Sequence, residues 1–187
     1  MTPTVPRRKR LALPFGVVLA LCIFMPALRV CGTPTYPISM PPFWSPYVLG
    51  ALVAALAAAR TRGGMRGLVI AIASVVAVTA FGWGVVAMSS IEGAAIGVAI
   101  LAFGVAFVVT VRKGPVEERA ARATIGVGIM CTPWFTLLAF DPDGMWGAWV
   151  SLVASLALIF AGLDWRRRLR LARADQDAIP RAIARAA

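Results

Sequence analysis

Long apolar runs separated by short, mostly basic stretches dominate this chain. A helix rises about 1.5 Å per residue, so a hydrocarbon core about 30 Å thick asks for roughly 20 apolar residues in a row. Six segments meet or approach that length: Leu11–Leu28, Phe43–Ala59, Leu68–Met88, Ala94–Val111, Thr124–Phe140 and Ala148–Leu163. The second and fifth are the short ones. The second works as a helix only with Pro46 in its first turn, where a missing N–H costs little. The fold class expected is an all-α integral membrane protein whose six transmembrane helices form three consecutive hairpins. Residues 1–10 are then a basic cytoplasmic N-terminus, 11–163 the six-helix bundle, and 164–187 a basic cytoplasmic tail.

Charge tests this layout independently of hydropathy. Cationic loops stay on the cytoplasmic side of a membrane. With the N-terminus inside, that side receives Arg7, Arg8, Lys9 and Arg10, then Arg60, Arg62 and Arg66, then Arg112, Lys113, Arg119 and Arg122. The tail adds Arg166, Arg167, Arg168, Arg170, Arg173, Arg181 and Arg185. Six spans therefore put 18 of the 19 Lys and Arg residues inside and leave Arg29 outside. Deleting any one span would move a basic block to the wrong face. A cleaved signal peptide is the competing reading of the first segment, which has a basic n-region and an apolar h-region. Its end does not fit a lipoprotein site, because Cys22 follows Leu21 and Cys31 follows Arg29-Val30. Five further spans leave no folded cargo for twin-arginine export at Arg7-Arg8. An uncleaved helix is expected.

The first and last hairpins share a pattern of Pro near one turn and aromatics at the return, at Trp44-Ser45-Pro46-Tyr47 and Trp146-Gly147-Ala148-Trp149. Internal duplication would explain it, and so would the general preference of these residues for membrane interfaces.

Composition agrees with the bilayer and narrows the chemistry. Hydrophobic residues make up 60% of the chain and charged residues 14%, with a mean hydropathy of +0.82, far from soluble norms. A net charge of +11 would suit nucleic acid, but the cations lie in short blocks between apolar runs. The expected counter-charge is anionic lipid headgroups, and no nucleic acid is expected. A bacterial inner (plasma) membrane is the expected location.

None of the six segments contains Asp, Glu, Lys, Arg or His. Buried charge in lipid persists mainly for ion pathways and proton relays, so a relay-driven pump is not expected. The chain has no histidine, which removes the commonest general base and the commonest zinc ligand. Cys22 and Cys131 fall inside apolar segments and read as small buried hydrophobes, while Cys31 falls in an aqueous loop, so no pair suited to thiol exchange is apparent. No catalytic residue, cofactor or metal centre is predicted.

Two surfaces remain as candidates. The outer loop 29–45 holds Pro34, Pro37, Pro41 and Pro42 with Tyr36, Phe43 and Trp44, and reads as stiff and extended, with its aromatics at headgroup level. Arg29 is its cation. Asp141 and Asp143 occupy a turn on the same face, and Glu92 caps the middle hairpin. Arg29, Asp141 and Asp143 are therefore the candidate outer contact, against the plain alternative of a solvated ion pair worth about 0–1 kcal/mol. Inside, Arg166, Arg167, Arg168, Arg170 and Arg173 form a candidate lipid- or partner-binding tail, expected as a short surface helix ending before Pro180. Small-xxx-small spacings at Gly93–Gly97, Ala73–Ala77, Ser151–Ser155 and Ala157–Ala161 allow close helix approach. Pro133 is expected to kink the fifth helix, leaving the Ile129 carbonyl for Thr132, Thr136 or water to satisfy.

The function expected is a non-enzymatic accessory or structural membrane component, with a membrane-protein partner or a second copy as the thing it binds. The alternative is a transporter or channel subunit for a small or apolar solute.

Overall fold

The structure is a computed structural model that describes residues 11–89 and 93–186; Arg7 to Arg10 and Glu92 lie outside the described residues. It is nearly all helix. The helices are α1 (Ala12–Leu21), α2 (Ser45–Ala58), α3 (Arg62–Met88), α4 (Ala94–Arg112), α5 (Val116–Phe140) and α6 (Trp146–Ala186), with a two-stranded ribbon of β1 (Leu28–Val30) and β2 (Thr33–Thr35) between α1 and α2. Four helices, α3 to α6, are long and apolar enough to cross a membrane. The chain is thus built as an integral membrane protein. Two shorter apolar helices, Ala12–Phe24 with its terminal 3₁₀ turn and Ser45–Ala58, complete the set.

Each helix end has a local cause. The first apolar segment is helical only to Phe24, not to Leu28. Met25 precedes Pro26 and is extended, φ −96° and ψ 144°, because the proline ring disfavours the α region in the residue before it. Arg62 to Gly67 belong to α3 and not to a loop. Thr61 caps that helix, its Oγ1 accepting the Gly64 N–H at 3.1 Å, a normal N-cap bond. Between α4 and α5, Gly114 takes φ +86° and Pro115 opens the next helix, the usual order of a glycine stop and a proline start. The basic loop expected over residues 112–123 is thereby reduced to Lys113–Pro115. At the far end α6 continues without a break through Leu163. The tail is the extension of the last apolar helix instead of a separate surface helix.

The outer loop also departs from the extended chain expected. Leu28 to Val30 pair antiparallel with Thr35 to Thr33. Cys31 (φ 50°) and Gly32 (φ 80°) both adopt positive φ, the geometry that lets two residues reverse a ribbon in keeping with its twist. Pro34 obscured this in the sequence, since proline argues against a strand unless the strand is an edge. Pro37–Ser39 and Pro41–Phe43 then form 3₁₀ turns, each begun by a proline. Pro46 sits in the first turn of α2, as expected.

Helices consecutive in sequence lie antiparallel and pack most closely in the pairs α1 with α2, α3 with α4 and α5 with α6. The close approaches occur at glycines. A Cβ on Gly16 would stand 2.8 Å from the Ala54 nitrogen and the Gly50 oxygen, and one on Gly97 would stand 2.6 Å from the Gly84 oxygen. Of the small-residue spacings, Gly97 and the pair Ser151–Ser155 lie at helix contacts, whereas Ala73 and Ala77 line an open groove. The core joins α1, α2, α5 and α6 with one side of α3 and with Phe107 and Val111 of α4. Leu19, Leu49, Leu56, Ile72, Val127, Phe135 and Leu158 are fully buried in it. α4 is the edge helix, with the smallest buried share of the four long helices.

Pro133 is accommodated within α5. The hydroxyls beside it behave differently from the expectation: Thr132 Oγ1 donates to the Gly128 carbonyl and Thr136 Oγ1 to the Thr132 carbonyl, both at 2.8 Å. Each side chain thus bonds back one turn along its own helix, the usual choice of a helical threonine among apolar neighbours.

Candidate functional site

The bundle has two chemically distinct ends. At one end, β1 meets the turn between α5 and α6. The Arg29 N–H donates to the Asp143 carbonyl at 2.8 Å, the Met145 N–H to the Ala27 carbonyl at 3.0 Å and the Gly147 N–H to the Pro26 carbonyl at 3.1 Å, and Leu28 bridges Gly144. Asp141 Oδ1 accepts the Asp143 N–H at 2.9 Å, which shapes the turn. The three candidate outer residues are therefore neighbours, but their link is backbone. Arg29, Asp141 and Asp143 have exposed side chains, and among the described residues no ion pair joins Arg29 to either carboxylate.

Beneath this cap lies an aromatic cluster that joins α3, α5 and the loop between α1 and α2. Phe43 stands 5.3 Å from Trp134, and Trp134 stands 4.9 Å from Trp83, centroid to centroid. Deeper still, Cys22, Tyr47 and Cys131 are buried in the common core, where the Tyr47 ring stands 5.6 Å from that of Phe135. Cysteines far apart in sequence are so brought to one interior region, both as free thiols. Among the described residues no group of His, Cys, Asp or Glu is arranged to hold a metal ion.

The opposite end is basic and is organised by Glu118. Its Oε1 accepts from Arg122 at 2.6 Å and its Oε2 from Arg173 at 3.2 Å. Glu118 lies ahead of the apolar stretch that starts at Thr124. The Arg122 hydrogen bond, opposed by partial burial and reinforced by Arg173, holds its carboxyl below the ordinary carboxylate range. Arg122 also donates to the Lys113 and Thr110 carbonyls at 2.7 and 3.0 Å. It therefore closes the exposed carbonyls at the end of α4, where a cation is favoured. The Glu118–Arg122 pair has the i, i+4 spacing of a one-turn helical ion pair. The Arg173 contact, 55 residues away, had no signal in the sequence.

The five tail arginines do not form one surface. Arg168 bonds Asp164 at 2.7 Å and Arg173 is held by Glu118, while Arg167 and Arg170 are exposed and Arg166 is half-buried beside the buried Trp165. A further group was missed by sequence reasoning. Arg66, Arg112 and Arg119, from three helices, converge at the rim of an open groove of about 350 Å³ between α3, α4 and the start of α5.

Fold and composition define a helical integral membrane protein with a stitched cap at one end and a basic cluster at the other. The chain matches no protein-family model, no curated protein and no solved structure.

Proposed function

We propose that this protein is a non-enzymatic accessory or structural component of the plasma membrane, crossing six times as three hairpins with both ends cytoplasmic. The observation that carries this reading is the filled interior. Where a solute path would run, Phe135, Leu19, Leu49, Ile72 and Leu158 are packed and fully buried. Interiors of this density behave as scaffolds that transmit contacts.

The charge pattern supports six spans. α2 leads directly into Arg60, Arg62 and Arg66, and the end of α4 and start of α5 bring Arg112 and Arg119 beside Arg66, so these described basic blocks share one end of the bundle. At about 1.5 Å per residue α1 and α2 are shorter than a bilayer core. The ribbon that follows α1 is exposed from Arg29 to Pro34, so local thinning of the bilayer around the two short helices takes up the difference.

Partner capture tests the proposal. Purification in mild detergent followed by mass spectrometry should yield one membrane protein in fixed proportion, or a defined homo-oligomer. Gradient-driven solute flux in proteoliposomes containing this chain alone would overturn it in favour of a transporter.

A further inference from the structure

The groove between α3, α4 and α5 has two unlike ends. Its walls are apolar, formed by Val69, Ile70, Ala73 and Ala77 on α3 and by Val108 and Val111 on α4. The small side chains of Ala73, Ser74 and Ala77 make the channel, because α4 approaches α3 closely only further along, at Gly84, Gly97 and Gly104. Its basic end is lined by Arg66, Arg112 and Arg119. Arg119 is steadied by donating its Nε–H to the Gly114 carbonyl at 2.5 Å, which leaves its two terminal nitrogens for another acceptor.

Among the described residues no ion pair involves these three arginines. The nearest organised carboxylate, Glu118, is already taken by Arg122 and Arg173. Three cations from three helices thus gather around space that contains no protein anion in contact with them. Like charges held together in this way favour an anion from outside, and guanidinium groups match phosphate by paired hydrogen bonds.

Depth identifies the kind of anion. From Arg66 to Ala77 the groove follows α3 for eleven residues, a rise of about 16 Å at 1.5 Å per residue. That is close to half of a hydrocarbon core about 30 Å thick, one leaflet. A soluble anion would use only the rim. The geometry points to an anionic glycerophospholipid of the basic-side leaflet, its phosphate held by Arg66, Arg112 and Arg119 and one acyl chain laid along Ala73 and Ala77. The inference requires only that α3 and α4 cross the membrane, and it stands or falls separately from the accessory role.

Native mass spectrometry of the purified full chain, loaded with phosphatidylglycerol, cardiolipin or phosphatidylcholine, reads the site directly. Wild-type protein should retain one anionic lipid and discriminate against phosphatidylcholine. Arg66→Gln and Arg112→Gln are exposed changes that leave the core intact, and each should weaken retention about fivefold, the share expected of one cation near an anionic headgroup. Ala77→Phe should abolish retention while keeping every charge, because it fills the acyl channel. Arg170→Gln, an exposed tail cation outside the groove, should change nothing. Equal retention of phosphatidylcholine, or wild-type retention by Arg66→Gln, Arg112→Gln and Ala77→Phe, would overturn the assignment. Displacement of bound lipid by millimolar inorganic phosphate would overturn it as well, by reducing the site to its rim.

Discussion

Gly16→Ala tests how tightly α1 is bound to α2. The added Cβ would stand 2.8 Å from the Ala54 nitrogen and 2.8 Å from the Gly50 oxygen. Both are backbone atoms and cannot rotate aside. Ordinary contact begins near 3.4 Å, so the helices must separate by about half an ångström, and a gap of about 0.5–1 Å forfeits a quarter to a half of each dispersion contact it opens. The loss falls on Leu19, Leu49 and Val53, all fully buried. Overpacking of this kind costs about 1–3 kcal/mol, offset by about 0.5–1 kcal/mol of helix propensity gained when alanine replaces glycine. A net loss of roughly 0–2.5 kcal/mol, centred near 1, follows. Gly82→Ala is the internal control. It lies on the exposed face of α3 with nothing within 4 Å of a new Cβ, and should be neutral or stabilising by the same propensity gain. Thermal unfolding in detergent, followed by fluorescence-detected size exclusion, compares the two directly. Equal melting of Gly16→Ala and Gly82→Ala would refute the close α1–α2 contact.

Four further outcomes are expected. Single cysteines introduced at Thr61, Ser90 and Pro115 in a cysteine-free background should label from outside only at Ser90, and labelling at Thr61 or Pro115 in intact cells would sink the six-span topology. Cys31→Ser should leave melting and monomer mobility unchanged, since Cys31 is a free thiol at a ribbon tip; a reducible dimer of the native protein would contradict this. Glu118→Gln should free Arg173 and raise protease sensitivity of the tail, with a stability loss of about 1–2 kcal/mol for the lost charge-assisted bonds. Because the Glu118 carboxyl is held low, the same contact is fully present above the ordinary carboxylate range and is lost as pH falls through its lowered value, so tail sensitivity in the wild type should rise only in acid. Arg29→Ala and Asp143→Ala should both fold normally, since the bond between these residues is backbone to backbone; loss of partner capture in either variant would make the outer cap the binding face, and unchanged capture in both would remove it.

How far the chain could be read without its fold differs from element to element. Four long apolar helices were legible in composition, because a bilayer imposes length and polarity on each segment independently. Pro46 marked the start of α2, whereas the N-cap at Thr61 and the stop at Gly114 lay within stretches expected as basic loops. The β1–β2 ribbon was hidden by Pro34, and the end of α1 was missed because Leu11–Leu28 is apolar throughout while Pro26 acts on the backbone of Met25. The groove was beyond reach of the sequence. Arg66, Arg112 and Arg119 look like ordinary topogenic charge one by one, and Ala73–Ala77 looks like a helix contact; only the packing of α3 against α4 at Gly84 and Gly97 decides that the alanines face open space instead. The Glu118–Arg173 link and the seam between β1 and the Asp141–Gly144 turn were decided in the same way. Hydropathy is a property of each segment taken alone, whereas these contacts depend on which helices become neighbours, and that is settled by side-chain volume across interfaces that no single segment contains.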